Sequence, residues 1–297
     1  MRPIPRPGLH ILRRDLRMLQ LGVEWPAVAA ILDTPAVAAV LRAVDGFRDL
    51  SGVQLAAEAH GVSNEAAHQA IDALLDSGAL VDQAVVRPPA LDPAIWSTMW
   101  LLAGPRSTAA EILRSRRQSS VYVEGSGRVC DQIRALLSEE QLTAAKAPDD
   151  ATVVVLGADG EPSRAAADEA LRRGVPYLCV GIRELVGLVG PFVVPGRTSC
   201  LRCVDLSRSD LDPCWRIVVD SMEVRPPREP SRTPSLVATV AGYAASEIVL
   251  WTSGSLPSSC DHVVEIPHGL GAVQTVGYPP HPQCGCGWQD RRDTMSA

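Results

Sequence analysis

The most specific chemistry in this sequence belongs to four cysteines. Cys200 and Cys203 form a Cys-x-x-Cys behind the turn Pro195-Gly196, where a chain reversal aims both sulfurs at one point. Far along the chain, Cys284 and Cys286 form a second close pair flanked by Pro282, Gly285 and Gly287. Four thiolates around one metal suit tetrahedral zinc, and a site filled by protein ligands is a staple with no coordination position left for substrate. In an extended segment the side chains of residues i and i+2 share a face. A chelate that tight still needs an unusual dihedral at Gly285. His281 is an alternative ligand in place of one cysteine. The competing readings of the same residues are four free thiols or a disulfide. Cys214, in Asp212-Pro213-Cys214-Trp215-Arg216, is a candidate nucleophile because Arg216 beside it would favour the thiolate. No base is placed near it by sequence, and a packed thiol is the alternative. Cys130, Cys179 and Cys260 read as core or surface thiols.

Elements that could position these groups come from the rest of the chain. Its 297 residues predict about two domains, and a hydrophobic share of 46% is ample for their cores. A net charge of −6 argues against indiscriminate nucleic-acid binding. The arginines near the start are not followed by an apolar run of signal-peptide length. The most apolar helix candidate, 235–252, carries Glu247, so no membrane span is expected. Eight cysteines without a signal sequence then read as reduced thiols of a cytoplasmic protein.

Residues 1–86 have the pattern of a winged-helix module of mixed α and β structure. Short strands are expected at 9–12, 18–21 and 27–32, followed by a helix from Pro35 with Thr34 at its cap, a helix over 51–60, and a third helix opened by Ser63. Residues 78–81 return as a strand. The outward positions of the third helix are Asn64, Glu65, His68, Gln69, Asp72 and Asp76, with no Lys or Arg to meet phosphate. A peptide adding a strand to an open sheet edge is the better reading. Residues 87–119 form a connector in which Trp96 and Trp100 share a helical face and Arg106, Arg114, Arg116 and Arg117 cluster as a solvated face.

From residue 120 an apolar strand runs into Gly125-x-Gly127 and a helix beginning at Arg128, the opening of a nucleotide-binding βαβ unit. Cys130 stands where the third glycine belongs, and its side chain would push the helix off the strand. Strands at 142–146, 151–156 and 174–180, with a helix at 163–173, predict a mostly parallel sheet. Residues 221–233, with Pro226, Pro227 and Pro230, read as an irregular crossover loop, and Pro234 follows it. A helix over 235–251 and strands at 262–266 and 271–276 then return the chain to its last cysteines.

The run from Ala151 to Cys203 resembles the second half of the ThiF/MoeB family, related to ubiquitin-activating enzymes, through Asp159, Gly187, Gly190, Cys200 and Cys203. Behind a winged-helix module and before His281-Pro282-x-Cys284-Gly285-Cys286, it is similar specifically to the ThiF-like partner proteins of azoline-forming cyclodehydratases in bacteriocin maturation. The resemblance implies an α/β fold with a Rossmann-like ThiF-type domain over 120–297, whose C-terminal excursion binds zinc. It implies a precursor peptide whose leader the first module recognises, a YcaO-type enzyme as partner that closes the rings, and homodimerisation as a further association. The candidate residues for ATP and Mg2+ are Gly125 and Gly127 of the glycine turn, Asp159 at a position the resemblance matches, and Arg128 as a nearby polar group without the family's motif around it. The Asn and Arg pair and the lysine that grip a triphosphate in adenylating members have no counterpart, Lys146 being the sole lysine. Phosphoryl and nucleotidyl transfer depend on such cations, so the domain reads as a pseudoenzyme that presents a peptide. The alternatives are an active adenylyltransferase acting on a C-terminal carboxylate and a winged-helix regulator that senses nucleotide or metal.

Overall fold

The computed structural model describes residues 1–23, 29–103, 107–224, 232–269 and 271–286, so Ala27, Arg106, Pro226, Pro227, Pro230 and Gly287 lie outside the described residues. The chain divides into two compact units, Met1–Arg114 and Ser115–Ala297.

The first unit opens with β1 (Pro3–Pro5), β2 (Ile11–Arg13), β3 (Met18–Leu21) and β4 (Ala29–Leu32). Strands β2, β3 and β4 form an antiparallel sheet in that order, which leaves β4 as an edge. Helices α1 (Pro35–Ala43), α2 (Leu50–Glu58) and α3 (Asn64–Asp76) follow. The caps are local and strong: the Val37 N–H donates to Thr34 Oγ1 and the Ala66 N–H donates to Ser63 Oγ. Val40, Val53, Ala57, Ala67 and Leu74 are fully buried between these helices. The returning strand β5 (Leu80–Asp82) does not join the three-stranded sheet. It pairs instead with β1, Ile4 opposite Val81, and the two prolines of β1 fall on a strand that, among the described residues, has no neighbour on its other side. Helix α4 (Pro93–Ala103) belongs to this unit, its Trp96 and Trp100 meeting edge to face at 6.1 Å and packing on Val81, Leu91 and the start of α5 (Ala109–Gln118).

The second unit is an α/β layer structure built from β6 (Ser120–Glu124), α6 (Arg128–Glu139), β7 (Thr143–Ala144), β8 (Val153–Gly157), α7 (Arg164–Arg172), β9 (Tyr177–Arg183), β10 (Val186–Val193), α8 (Leu201–Leu211), α9 (Trp215–Val224), α10 (Pro234–Thr252), β11 (His262–Pro267) and β12 (Gln274–Gly277). Its seven-stranded sheet runs β12-β11-β10-β9-β8-β6-β7. The sheet is mixed, which corrects the mostly parallel expectation: β7, β6, β8 and β9 are parallel, whereas β10, β11 and β12 add as antiparallel hairpins. The reason is the short β9–β10 connection, which leaves no room for a crossover helix. Val154, Leu156, Tyr177 and Cys179 pack with α7 and the Cys200–Cys203 turn. The alternate residues Val153, Val155, Leu178 and Val180 are equally buried and face the other side of the sheet.

Helix α10 is 19 residues long and by length and composition could cross a membrane. It packs instead on α6, β9 and β10, close enough that a Cβ on Gly187 would lie 2.1 Å from Val240 Cγ2. Its Glu247 is 2% exposed and accepts hydrogen bonds from the backbone N–H groups and hydroxyls of Ser258 and Ser259. The loop expectation changes at its start, because Ser221 lies inside α9, and α10 begins one residue earlier than expected, at Pro234. Arg116 is not part of a solvated face either. Its side chain is 4% exposed, with Nε donating to Ser253 Oγ and Nη1 3.7 Å from Glu140.

Candidate functional site

Three places in the fold gather groups with chemistry. At the first, β10 ends and the chain turns into α8, whose N-cap is Cys200. The Ser199 N–H donates to Asp261 Oδ1 at 2.6 Å, tying this turn to the start of β11. Cys284 and Cys286 arrive after β12. Their sulfurs lie 3.4 Å from Cys200 Sγ and 3.3 Å from Cys203 Sγ respectively, Cys200 and Cys203 are 3.9 Å apart, and all four fall within 4.8 Å of one another. Four sulfurs at about 2.3 Å from a tetrahedral zinc would stand about 3.8 Å apart, which these distances bracket, so the cluster can hold a metal ion. Gly285 has φ +76, the left-handed turn that a chelate separated by one residue requires. His281 is turned away from the sulfurs: Nε2 pairs with Asp210 Oδ2 at 3.0 Å and Nδ1 accepts the Gln283 N–H, while its backbone N–H donates to Cys203 Sγ at 3.3 Å. The cluster divides its protons unequally. A hydrogen bond from Cys200 holds Cys203 below the ordinary thiol range, and the same bond pushes Cys200 up. Thiolates are the metal-binding form.

The second place is the turn from β6 into α6. Gly125 and Gly127 have φ +112 and +100, and a Cβ on Gly125 would lie 1.9 Å from the Gly157 carbonyl oxygen. Cys130 does not push α6 off the sheet. Its Sγ occupies the space above Gly157, where a Cβ would sit 2.7 Å from the sulfur. A glycine on β8 thus does what the third glycine of the fingerprint would do on the helix. Burial pushes the Cys130 thiol up to about 11, so it is a neutral packing group. Asp159, just beyond β8, reaches under the turn: Oδ2 accepts the Arg128 N–H and Oδ1 the Val129 N–H, both at 3.1 Å. Arg232 Nη1 is 3.1 Å from Oδ2, and Arg128 Nη1 donates to the Arg232 carbonyl. The four residues expected around a nucleotide are therefore together, with Asp159 and the two amides already bonded to each other. Lys146, after β7, is exposed.

Sequence reasoning missed a buried charge network beside them. Glu161 pairs with Arg183 and Arg164, Arg164 grips Asp205 through Nε and Nη2, and Trp215 Nε1 donates to Asp205 Oδ1. Arg183 and Arg208 each lie 4.9 Å from the Trp215 ring centroid. Burial pushes the Glu161 carboxyl up, but Arg183 and Arg164 more than offset it and hold it below the usual range. Cys214, adjacent to Trp215, is exposed, and its backbone N–H donates to Asp212 Oδ1.

The third place is in the first unit. Between the open edge of β4 and helix α3 lies a cleft of about 570 Å³, lined by Ile31, Leu32, Val37, Val62, Ala66 and Ala70 with Thr34, Ser63 and Gln69 as its polar side chains. Among the described residues, no charged side chain lines it.

No protein-family model matches the chain, and no curated protein matches it. Solved structures do. A heterocyclase in complex with substrate and cofactor superposes with TM-score 0.73 at 17% identity, over 96% of this chain and 39% of that one. The heterocyclase TruD gives 0.71 at 19%, over 99% and 44%. This chain has their fold. It spans less than half of either heterocyclase. MccB of E. coli, solved with AMPCPP and MccA, gives 0.69 at 12% over 97% of this chain and 99% of its own. The seven-stranded mixed sheet and these likenesses agree with the expected α/β fold.

Proposed function

We propose that this chain is the precursor-binding component of a peptide heterocyclase system, a non-catalytic scaffold that holds a leader segment and presents the rest to a YcaO-type enzyme. The observation that carries the reading is the cleft beside the β4 edge, lined among the described residues by uncharged side chains. An extended peptide added to β4 satisfies its backbone on the strand and seats alternate apolar side chains in the cleft, a mode in which the backbone supplies affinity and the pockets supply specificity. On this reading 1–86 is a winged-helix reader rather than a DNA-binding module, in keeping with the exposed and partly acidic outer face of α3. The fold shared with two heterocyclases, one of them solved with substrate, points in the same direction. Zinc held by Cys200, Cys203, Cys284 and Cys286 would tie the C-terminal segment to α8, and with four protein ligands it supplies no chemistry to a substrate.

The test is selection of a displayed peptide library against the full chain, with affinities of the selected peptides measured by fluorescence anisotropy. Leu32→Asp places a charge on the cleft rim at a side chain that is 61% exposed, so folding is preserved. We expect affinity to fall by about tenfold or more. Peptides that bind this variant as well as wild type would refute the cleft as their site. A second reading, an adenylyltransferase like a nucleotide-binding relative, is favoured by the positive φ at Gly125 and Gly127 and by the full-length match to MccB. ATP–pyrophosphate exchange with the selected peptides would establish it and remove the non-catalytic reading.

A further inference from the structure

We propose that the glycine turn between β6 and α6 is an anion site filled by the chain's own Asp159, so that the seat a phosphate would take is closed from within. This deepens the non-catalytic reading above and rests on it, while leaving the peptide cleft aside.

A twelve-residue helix such as α6 offers its first amides and the positive end of its dipole to an anion. Here the Arg128 and Val129 amides each donate to one oxygen of the same carboxylate. No space remains between that carboxylate and the turn, because a Cβ on Gly127 would lie 2.3 Å from Asp159 Oδ2 and 2.5 Å from its Cγ. The positive φ of Gly127 and its missing side chain are what admit Asp159. From the far side Arg232 pairs with Oδ2, the Arg128 side chain bonds to the Arg232 carbonyl, and Arg134 donates to the Gly125 and Val123 carbonyls, so the three arginines near the turn are all committed to the closed arrangement. The Asp159 side chain is 6% exposed. A phosphate oxygen approaching the two amides would have to displace this carboxylate or lie against it, and two like charges that close in a partly desolvated place repel. The nucleotide that the fold family implies therefore does not fit this turn as it stands.

The experiment is titration of inorganic pyrophosphate into the full chain, read by calorimetry and by the amide resonances of Arg128 and Val129. Wild type is expected to show no saturable heat and no movement of those amides. Asp159→Ala frees both amides and releases Arg232, and is expected to bind pyrophosphate about tenfold or more tightly than wild type, with an affinity that salt weakens. Asp159→Asn, which keeps an acceptor for an amide and loses the Arg232 ion pair, should fall between the two. Saturable wild-type binding that moves the Arg128 and Val129 amides overturns the proposal. So does a cooperatively melting Asp159→Ala or Asp159→Asn with no gain. Pyrophosphate exchange is scored separately: exchange without movement of these amides would sink the non-catalytic reading and leave the filled turn standing.

Discussion

The packing of Cys130 against Gly157 makes a prediction that one atom decides. Gly157 ends β8, and a methyl added there would lie 2.7 Å from Cys130 Sγ, while the next atom in its way, the Glu124 carbonyl oxygen, is at an ordinary 3.8 Å. Cys130 is fully buried, so its sulfur has no free side to swing into. Gly157→Ala should therefore cost what overpacking costs in a close-packed core, about 1–3 kcal/mol. For a unit of this size that corresponds to a fall of about 2–12 °C in melting temperature. Cys130→Ala alone removes one buried heavy atom and should cost about 1 kcal/mol. In the Cys130→Ala background the added methyl at residue 157 moves into the vacated space, and the clash term disappears. The double-mutant cycle should give a coupling of about 1–3 kcal/mol. Urea unfolding of the full chain, followed by amide exchange within α6, measures it. If the two changes simply add, the sulfur is not what Gly157 makes room for, and the docking of α6 without the third glycine needs another explanation.

Other expectations follow from the same geometry. Cys203→Ser, at a side chain with no exposure, should reduce bound zinc from about one per chain to none. It should also destabilise the second unit by more than about 5 kcal/mol, because metal affinity in such sites is folding energy; elemental analysis and chelator-dependent melting test this, and a metal-free chain indifferent to chelator would contradict it. Cys214→Ala, at an exposed thiol, should change stability by less than about 0.5 kcal/mol and leave peptide binding intact. Glu161 has a folded-state pKa held below its unfolded value of about 4.3. Its contribution to stability is thus present above that pH and lost as the pH falls further. Glu161→Gln should cost about 3–5 kcal/mol at neutral pH by leaving Arg183 without its carboxylate and Arg164 with Asp205 alone, and should flatten the acid limb of the melting curve; an unchanged acid limb would assign that limb to other groups.

What the sequence reveals follows the range of the forces involved. The caps at Thr34 and Ser63 are set by residues three apart and were legible, as was the strand–helix alternation from Ser120 to Tyr177. The four cysteines were legible because few other chemistries need two close thiol pairs. Strand β1 was not, since two of its three residues are prolines and its partner lies beyond three helices. The antiparallel half of the sheet was hidden because no strand was expected over the glycine-interrupted residues 186–193, where the eight-residue β10 lies. Helix α9 was obscured by the prolines that follow it. The network of Glu161, Arg164, Arg183 and Asp205 leaves no spacing signal, for its members come from different elements and meet only when α7, α8 and β9 are packed.

The glycine turn shows how a motif can be legible in shape and leave its partner open. Gly125-x-Gly127 specifies that an anion approaches the first amides of a helix closely enough to exclude a side chain, and the structure contains that approach. The motif does not specify whether the anion is a phosphate or a carboxylate of the same chain. That choice depends on the surrounding cations. A bound triphosphate carries several charges and needs several cations to hold it, whereas one carboxylate is satisfied by two amides and one guanidinium, which is the set found around Asp159. Adding a second anion beside Asp159 at about 4 Å would cost about 4 kcal/mol near a protein surface, more than the helix dipole returns. On the proposal made above, a chain short of lysine keeps the glycines, and needs them, for its own carboxylate.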